Sequence, residues 1–133
     1  HERLIIGNCV VTNSDQRTRL FIDGSAPILR EKDILTVETA NSPAKRIYLA
    51  VQMMYLEDDI STLRGDYFSL VNDIVTAAPS CIPIVDEINN DILTGNLYKA
   101  LKAARRLIQY EQDLISNAAA GRTGLPAGGQ ADR

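Results

Sequence analysis

The chain has 133 residues, 45% of them hydrophobic, and a net charge of −3. That length fits a single domain, which can bury roughly two thirds of its unfolded surface without metals or disulfides. The apolar runs, such as residues 4–6 and 9–11, are far shorter than the roughly 18 residues of a membrane-spanning helix, which excludes a membrane-spanning protein.

Residues 1–35 are predicted to form a small antiparallel meander of three or four strands, because Val, Ile and Thr are frequent and turn residues interrupt them. Gly7-Asn8 is expected to turn the chain between the first two strands, and Asp23-Gly24 to end another strand over residues 17–22. In that last strand the alternation places Arg17, Arg19 and Phe21 on one face, and Thr18, Leu20 and Ile22 on the core face.

Residues 36–120 are predicted to be helical. Ser42-Pro43 is a strong helix start, and the apolar stripe that follows runs to about Leu56, with Lys45, Arg46 and Gln52 off the stripe. A second helix is predicted over residues 63–75, and a third over residues 84–93, closed by Gly95.

The clearest element is a last helix over about residues 96–119, in which Leu97, Leu101, Leu107 and Ile115 belong to one continuous apolar stripe. Glu111 falls inside this stripe, so we expect it at a polar gap or paired across an interface. Residues 121–133 are rich in Gly, Pro and Ala without apolar periodicity and are predicted to be a disordered tail.

The sequence predicts no enzyme and no cofactor. Its one histidine is His1, and it contains no HExxH, GxSxG or phosphate-binding loop motif. Cys9 and Cys81 form no CxxC pair, so both are predicted to be small buried residues of a reducing compartment, the cytoplasm. The acidic clusters at residues 57–59 and 86–87 lack the spacing of a calcium loop, and no metal site is predicted.

The uneven charge indicates where a polyanion could bind. Residues 1–35 carry five basic and five acidic side chains, residues 36–95 three and nine, and residues 96–133 six and three. A nucleic-acid site therefore belongs near the two ends. The candidates are two groups, one in the sheet region and one on the last helix: Arg17, Arg19, Arg30 and Lys32, and then Lys99, Lys102, Arg106 and Tyr110. The alternative interpretation is that the first group is edge-strand charge that prevents aggregation, and that the second is an ordinary solvated helix face.

Three stretches together resemble the FlbT family, namely residues 5–13 followed by Arg17, residues 26–34, and residues 42–56. Residues 98–111 are also similar to that family, so the likeness covers nearly everything before the tail and defines one domain over residues 1–120. Family members usually begin with further residues that extend the sheet, and this chain starts at His1, so we expect N-terminal residues to be missing.

The resemblance implies a cytoplasmic regulator that binds the 5′ leader of flagellin messenger RNA, lowering translation or message lifetime in some members and promoting flagellin production in others. A rival hypothesis is a protein-binding adaptor of flagellar assembly or its regulation, which accounts better for the acidic middle. The expected architecture is α+β, a small antiparallel sheet followed by about four helices. Because so small a sheet is marginal alone, dimerisation remains open.

Overall fold

Three short strands precede four helices in the computed structural model, which describes residues 1–14, 16–17, 19–24, 26–57 and 61–122. This confirms the predicted α+β architecture. The elements are β1 (Arg3–Ile6), β2 (Cys9–Thr12), β3 (Ile28–Arg30), α1 (Pro43–Glu57), α2 (Arg64–Ala77), α3 (Ile82–Leu93) and α4 (Leu97–Arg122). Short 3-10 turns, Glu31–Asp33 and Pro79–Cys81, follow β3 and α2.

The sheet is antiparallel with the order β2-β1-β3. Gly7 adopts a φ of 64° in the predicted turn between β1 and β2, a backbone conformation that glycine reaches without steric cost. Leu29 of β3 is buried in the hydrophobic core, whereas all four residues of β2 are exposed. The sheet therefore joins the helices through β3, and β2 lies at its outer edge.

The predicted strand over residues 17–22 is wrong: the described residues of this segment form no strand. Leu20 and Ile22, assigned to the core face, are 52% and 39% exposed, and Phe21 is 86% exposed. Thr18 lies outside the described residues. Alternation indicates which residues would share a face, but a strand also needs a neighbouring strand to pair with, and no described residue of this segment pairs with β1, β2 or β3.

The helices form the core of the molecule. Helix α4 packs against both α1 and α3, and α1 also packs against α2. Leu101 and Leu107 of α4 are fully buried, as the apolar stripe predicts. Helix α4 continues to Arg122, so residues 121 and 122 of the predicted tail are helical, and residues 123–133 lie outside the described part.

Two predictions of burial are corrected. Cys9 is exposed on β2, because nothing in the described chain covers that strand, whereas Cys81 is buried as expected. Gln52, placed off the apolar stripe, is only 3% exposed. Its side-chain amide accepts a hydrogen bond from the Leu35 amide (2.8 Å) and donates one to the Leu35 carbonyl (2.9 Å). The segment before α1 crosses this side of the helix, so a polar residue is needed at a buried position.

Glu111 lies at a polar gap, as predicted from its place in the α4 stripe. Its carboxylate accepts a hydrogen bond from the Ser42 hydroxyl (2.5 Å) and another from the Ala44 amide (3.0 Å). Ser42 Oγ in turn accepts a bond from the Lys45 amide at 3.3 Å. Because Pro43 has no amide hydrogen, Ser42 and Glu111 together satisfy the first free donors of α1.

Candidate nucleic-acid interface

The sheet-side candidates differ in how accessible their side chains are to an RNA phosphate. Arg30 donates two hydrogen bonds to the Glu2 carboxylate, from Nε at 2.8 Å and from Nη2 at 2.9 Å. These bonds lower the pKa of Glu2 and raise that of Arg30, although both side chains remain about half exposed. Lys32 is exposed in the turn after β3, and Arg17 and Arg19 are exposed in the segment that forms no strand.

The helix-side candidates divide in the same way. Arg106 forms an ion pair with Glu87 of α3, and the Tyr110 hydroxyl donates a hydrogen bond to Ser80 Oγ at 2.5 Å. Lys99 and Lys102 are exposed, and no carboxylate among the described residues lies within ion-pair distance of either. Lys99 and Lys102 are thus the free cations of this group.

A groove joins the two groups where β3 meets the start of α4. It consists of two adjoining cavities of about 450 and 340 Å³, and Tyr55 and Tyr98 line both of them. We call it the tyrosine groove. The remaining lining residues come from the β3 region, from the loop before α4 and from the first turn of α4: Ala26, Pro27, Ile28, Leu29, Arg30, Asp33, Gly95, Asn96, Leu97 and Lys99.

Tyr55 of α1 fixes the wall of the tyrosine groove to the sheet. Its hydroxyl accepts a hydrogen bond from the Ile28 amide (3.0 Å) and donates one to the Ile28 carbonyl (3.1 Å). The Tyr55 and Tyr98 rings are 5.7 Å apart between centroids and inclined at 47°. Tyr98 is 46% exposed, and Lys102 Nζ lies over its ring, 5.4 Å from the centroid.

The groove carries excess positive charge because its one lining carboxylate is neutralised. Asp33 accepts an ion pair from Arg105 of α4 at 2.9 Å. Arg105 also donates a hydrogen bond to the Tyr48 hydroxyl at 3.4 Å, while that hydroxyl donates to the Asp33 carbonyl at 2.5 Å. Burial raises the pKa of Tyr48, so this hydroxyl stays protonated at neutral pH. Arg30 is likewise paired with Glu2, so the groove owes its positive charge to Lys99, which lines it, and to Lys102, which lies over the Tyr98 ring.

The structure therefore brings Arg30 of the sheet group and Lys99 of the helix group to one groove, and Lys102 lies beside it, over the Tyr98 ring. The other predicted residues do not line it, as listed together here: Arg17, Arg19, Lys32, Arg106 and Tyr110. Sequence reasoning missed Tyr55, Tyr98 and Arg105. One signal was present: Tyr98 and Lys102 are four residues apart on α4, a spacing that makes neighbours on a helix surface.

Two features that would suggest other chemistry are not found in the described part of the chain. No group of three or more His, Cys, Asp or Glu side chains is placed to hold a metal ion. Similarly, none of the helices within the described ranges combines the length and the hydropathy that crossing a membrane requires.

The family model of the flagellar protein FlbT matches residues 1–115. The chain belongs to the FlbT family. It is 64% identical over 115 residues to a probable flagellum biosynthesis repressor protein FlbT 1 of Bradyrhizobium diazoefficiens, covering 86% of this chain and 79% of the relative. It is 55% identical to a probable flagellum biosynthesis repressor of Rhodopseudomonas palustris, with 86% and 91% covered.

A more distant family member extends the likeness over almost the whole chain. The flagellum biosynthesis repressor protein FlbT of Caulobacter vibrioides is 31% identical over 138 aligned positions, which cover 98% of this chain and 92% of the relative. No solved structure matches the chain. Membership of the FlbT family, predicted from four stretches of sequence, is thereby confirmed.

Proposed function

We propose that this chain regulates flagellin expression after transcription by binding the 5′ leader of flagellin messenger RNA. Family relatives named as flagellum biosynthesis repressors support the regulatory part of this proposal. The observation that carries the RNA part is the tyrosine groove, where Lys102 lies over the exposed Tyr98 ring, Lys99 lines the cavity beside it, and Arg30 lines the adjoining cavity. Cations provide the salt-dependent affinity for the RNA backbone, and aromatic faces hold unpaired bases.

The first experiment removes the two free lysines of the groove. Lys99→Ala combined with Lys102→Ala is expected to weaken binding of the leader RNA and to lower the slope of log affinity against log salt concentration by about 1.4, since each lost contact to a single strand contributes about 0.7. Both side chains are exposed, so folding should be unaffected. Fluorescence anisotropy of labelled leader RNA over a range of salt concentrations measures both quantities.

Two comparisons locate the site. Lys45→Ala with Arg46→Ala removes two cations from α1, neither of which lines the tyrosine groove, and should leave the salt slope unchanged. Arg17→Ala with Arg19→Ala tests the sheet-side prediction. If this second pair lowers the slope and the lysine pair does not, the RNA site moves to the segment between β2 and β3.

A variant that is expected to strengthen RNA binding tests the groove further. Glu2→Ala removes the negative charge and both of the hydrogen bonds that the Arg30 guanidinium makes. We expect tighter RNA binding and a salt slope steeper by up to about 0.7. An unchanged or weaker affinity would show that Arg30 does not meet the RNA.

A second candidate function is a protein-binding adaptor of flagellar assembly or its regulation. It is favoured by an apolar groove between α1 and α2, about 450 Å³ in volume, whose lining includes Val37, Leu49, Met53 and Leu70. In cells whose own copy has been deleted, Leu49→Glu should abolish control of a flagellin reporter if this groove holds the partner. If instead the lysine pair abolishes control and Leu49→Glu does not, RNA binding is the function.

A further inference from the structure

Tyr98 differs from the other four tyrosines of the chain in the hydrogen bonding of its hydroxyl group. Within the described ranges, the hydroxyls of Tyr48, Tyr55, Tyr67 and Tyr110 each form a hydrogen bond to the protein, and that of Tyr98 forms none. A tyrosine usually gains stability by burying its ring and pairing its hydroxyl. Tyr98 does neither completely, since it is 46% exposed at the open side of the tyrosine groove.

The Tyr98 ring is nevertheless held in place. It lies in the first turn of α4 and contacts the ring of Tyr55, whose hydroxyl is fixed by both backbone groups of Ile28. The two cavities of the groove adjoin at this pair of rings. An aromatic surface beside empty space, anchored from behind, loses little conformational entropy when a planar ligand covers it.

Lys102 covers the face of the Tyr98 ring. Its ammonium group lies 5.4 Å from the centroid of Tyr98, and the lysine is exposed. A cation over an aromatic face at an exposed site is only weakly held. A nucleobase can therefore take its place, and the ammonium group of a long flexible side chain can then reach the phosphate beside that base.

We propose that Tyr98 is a stacking platform for an unpaired RNA base, and that Lys102 moves from the ring face to the adjacent phosphate when the base is seated. This inference rests on the proposed function and specifies its ligand. Bases of an A-form duplex are stacked on their neighbours and cannot present a free face to the ring. The groove should consequently select single-stranded segments of the leader over paired ones.

The first test compares variants by their affinity and by their salt slope. Tyr98→Leu is expected to weaken binding of single-stranded leader RNA about 5- to 100-fold, the range for loss of one stacked base, at an unchanged slope. Tyr98→Phe should restore the affinity, because the ring remains. Lys102→Gln should lower the slope by about 0.7. The matched control is Phe68→Leu, which removes a similarly exposed aromatic ring from α2, 48% exposed and outside the groove, and should leave RNA binding intact.

A spectroscopic test reports stacking directly. The chain contains no tryptophan, so Tyr98→Trp introduces a single indole whose fluorescence should be quenched by oligoadenylate and by the single-stranded leader. The leader annealed to its complement should quench much less, and Phe68→Trp should respond to none of these RNAs. Thermal unfolding followed by circular dichroism verifies that each variant folds.

The outcomes separate the two proposals. If Tyr98→Trp is not quenched by any single strand, or if Tyr98→Leu binds the leader as tightly as the wild-type chain, the stacking platform is refuted while leader binding stands. If oligoadenylate quenches the indole but the wild-type chain binds the leader no better than unrelated RNA, stacking stands and the proposed function is refuted. Equal binding of duplex and single strand would overturn the selectivity.

Discussion

The stability of α1 should depend on a carboxylate that belongs to α4. In Glu111→Ala the Ser42 hydroxyl loses its acceptor at 2.5 Å and the Ala44 amide loses its acceptor at 3.0 Å. Loss of a helix cap typically costs about 1 kcal/mol, and loss of a negative charge beside a helix N-terminus costs about 0.3–1 kcal/mol. A part-buried amide left without a partner adds about 1 kcal/mol. Because these contributions overlap, we expect the free energy of unfolding to fall by about 2 kcal/mol.

Urea unfolding followed by far-ultraviolet circular dichroism measures this loss, and a thermal melt should show a decrease of about 8 °C in Tm. Glu111→Gln keeps one acceptor without the charge and should lose about half as much. The matched control is Asp113→Ala, which removes an exposed acid from the same helix and should change stability by less than about 0.5 kcal/mol. If Glu111→Ala unfolds at the same urea concentration as the wild-type chain, the carboxylate does not cap α1, and the reasoning fails.

Three further predictions concern burial. Gln52→Ala should lower the free energy of unfolding by about 2 kcal/mol, measured by urea unfolding, since the amide and carbonyl of Leu35 both lose their partner; a neutral effect would show that water replaces the side chain. Leu101→Asp should yield insoluble or unfolded protein, because it places a carboxylate at a fully buried position; a soluble variant with a cooperative melt would contradict this. In the native chain a thiol reagent should label exposed Cys9 rapidly and Cys81 only on unfolding, because Cys81 is buried and burial raises the pKa of its thiol. Mass spectrometry of the labelled peptides would reveal the reverse order if the burial is misassigned.

The sequence was most informative where a local rule determines a local structure. Ser42-Pro43 begins α1, Gly7 turns the chain between β1 and β2, and the α4 stripe is buried at Leu101, because capping, positive φ and apolar periodicity act within a few residues. Even Glu111 could be placed at a polar gap, since a carboxylate within an apolar stripe requires partners.

It was least informative where burial depends on a distant segment. Residues 17–22 alternate like a strand, yet none of the described residues among them pairs with β1, β2 or β3. Gln52 has the polarity of a surface residue, and only the path of Leu35 over α1 makes it a buried one. The tyrosine groove likewise depends on contact between two segments that are distant in the sequence. Tyr55 and Tyr98 are 43 positions apart in the sequence, and no local pattern shows that their rings meet.

Tyr55 also blocks the edge of the sheet formed by β3, and the edge formed by β2 is left open. Its hydroxyl occupies the amide and the carbonyl of Ile28, the groups of β3 that face away from β1, so another strand cannot pair there without displacing it. Strand β2 keeps its outer edge uncovered by any described residue. A sheet with two open edges can add copies without end, whereas a sheet with one can pair only once. Within the described residues the sheet therefore offers one free edge, that of β2, to another strand, and that edge is where an added strand would pair.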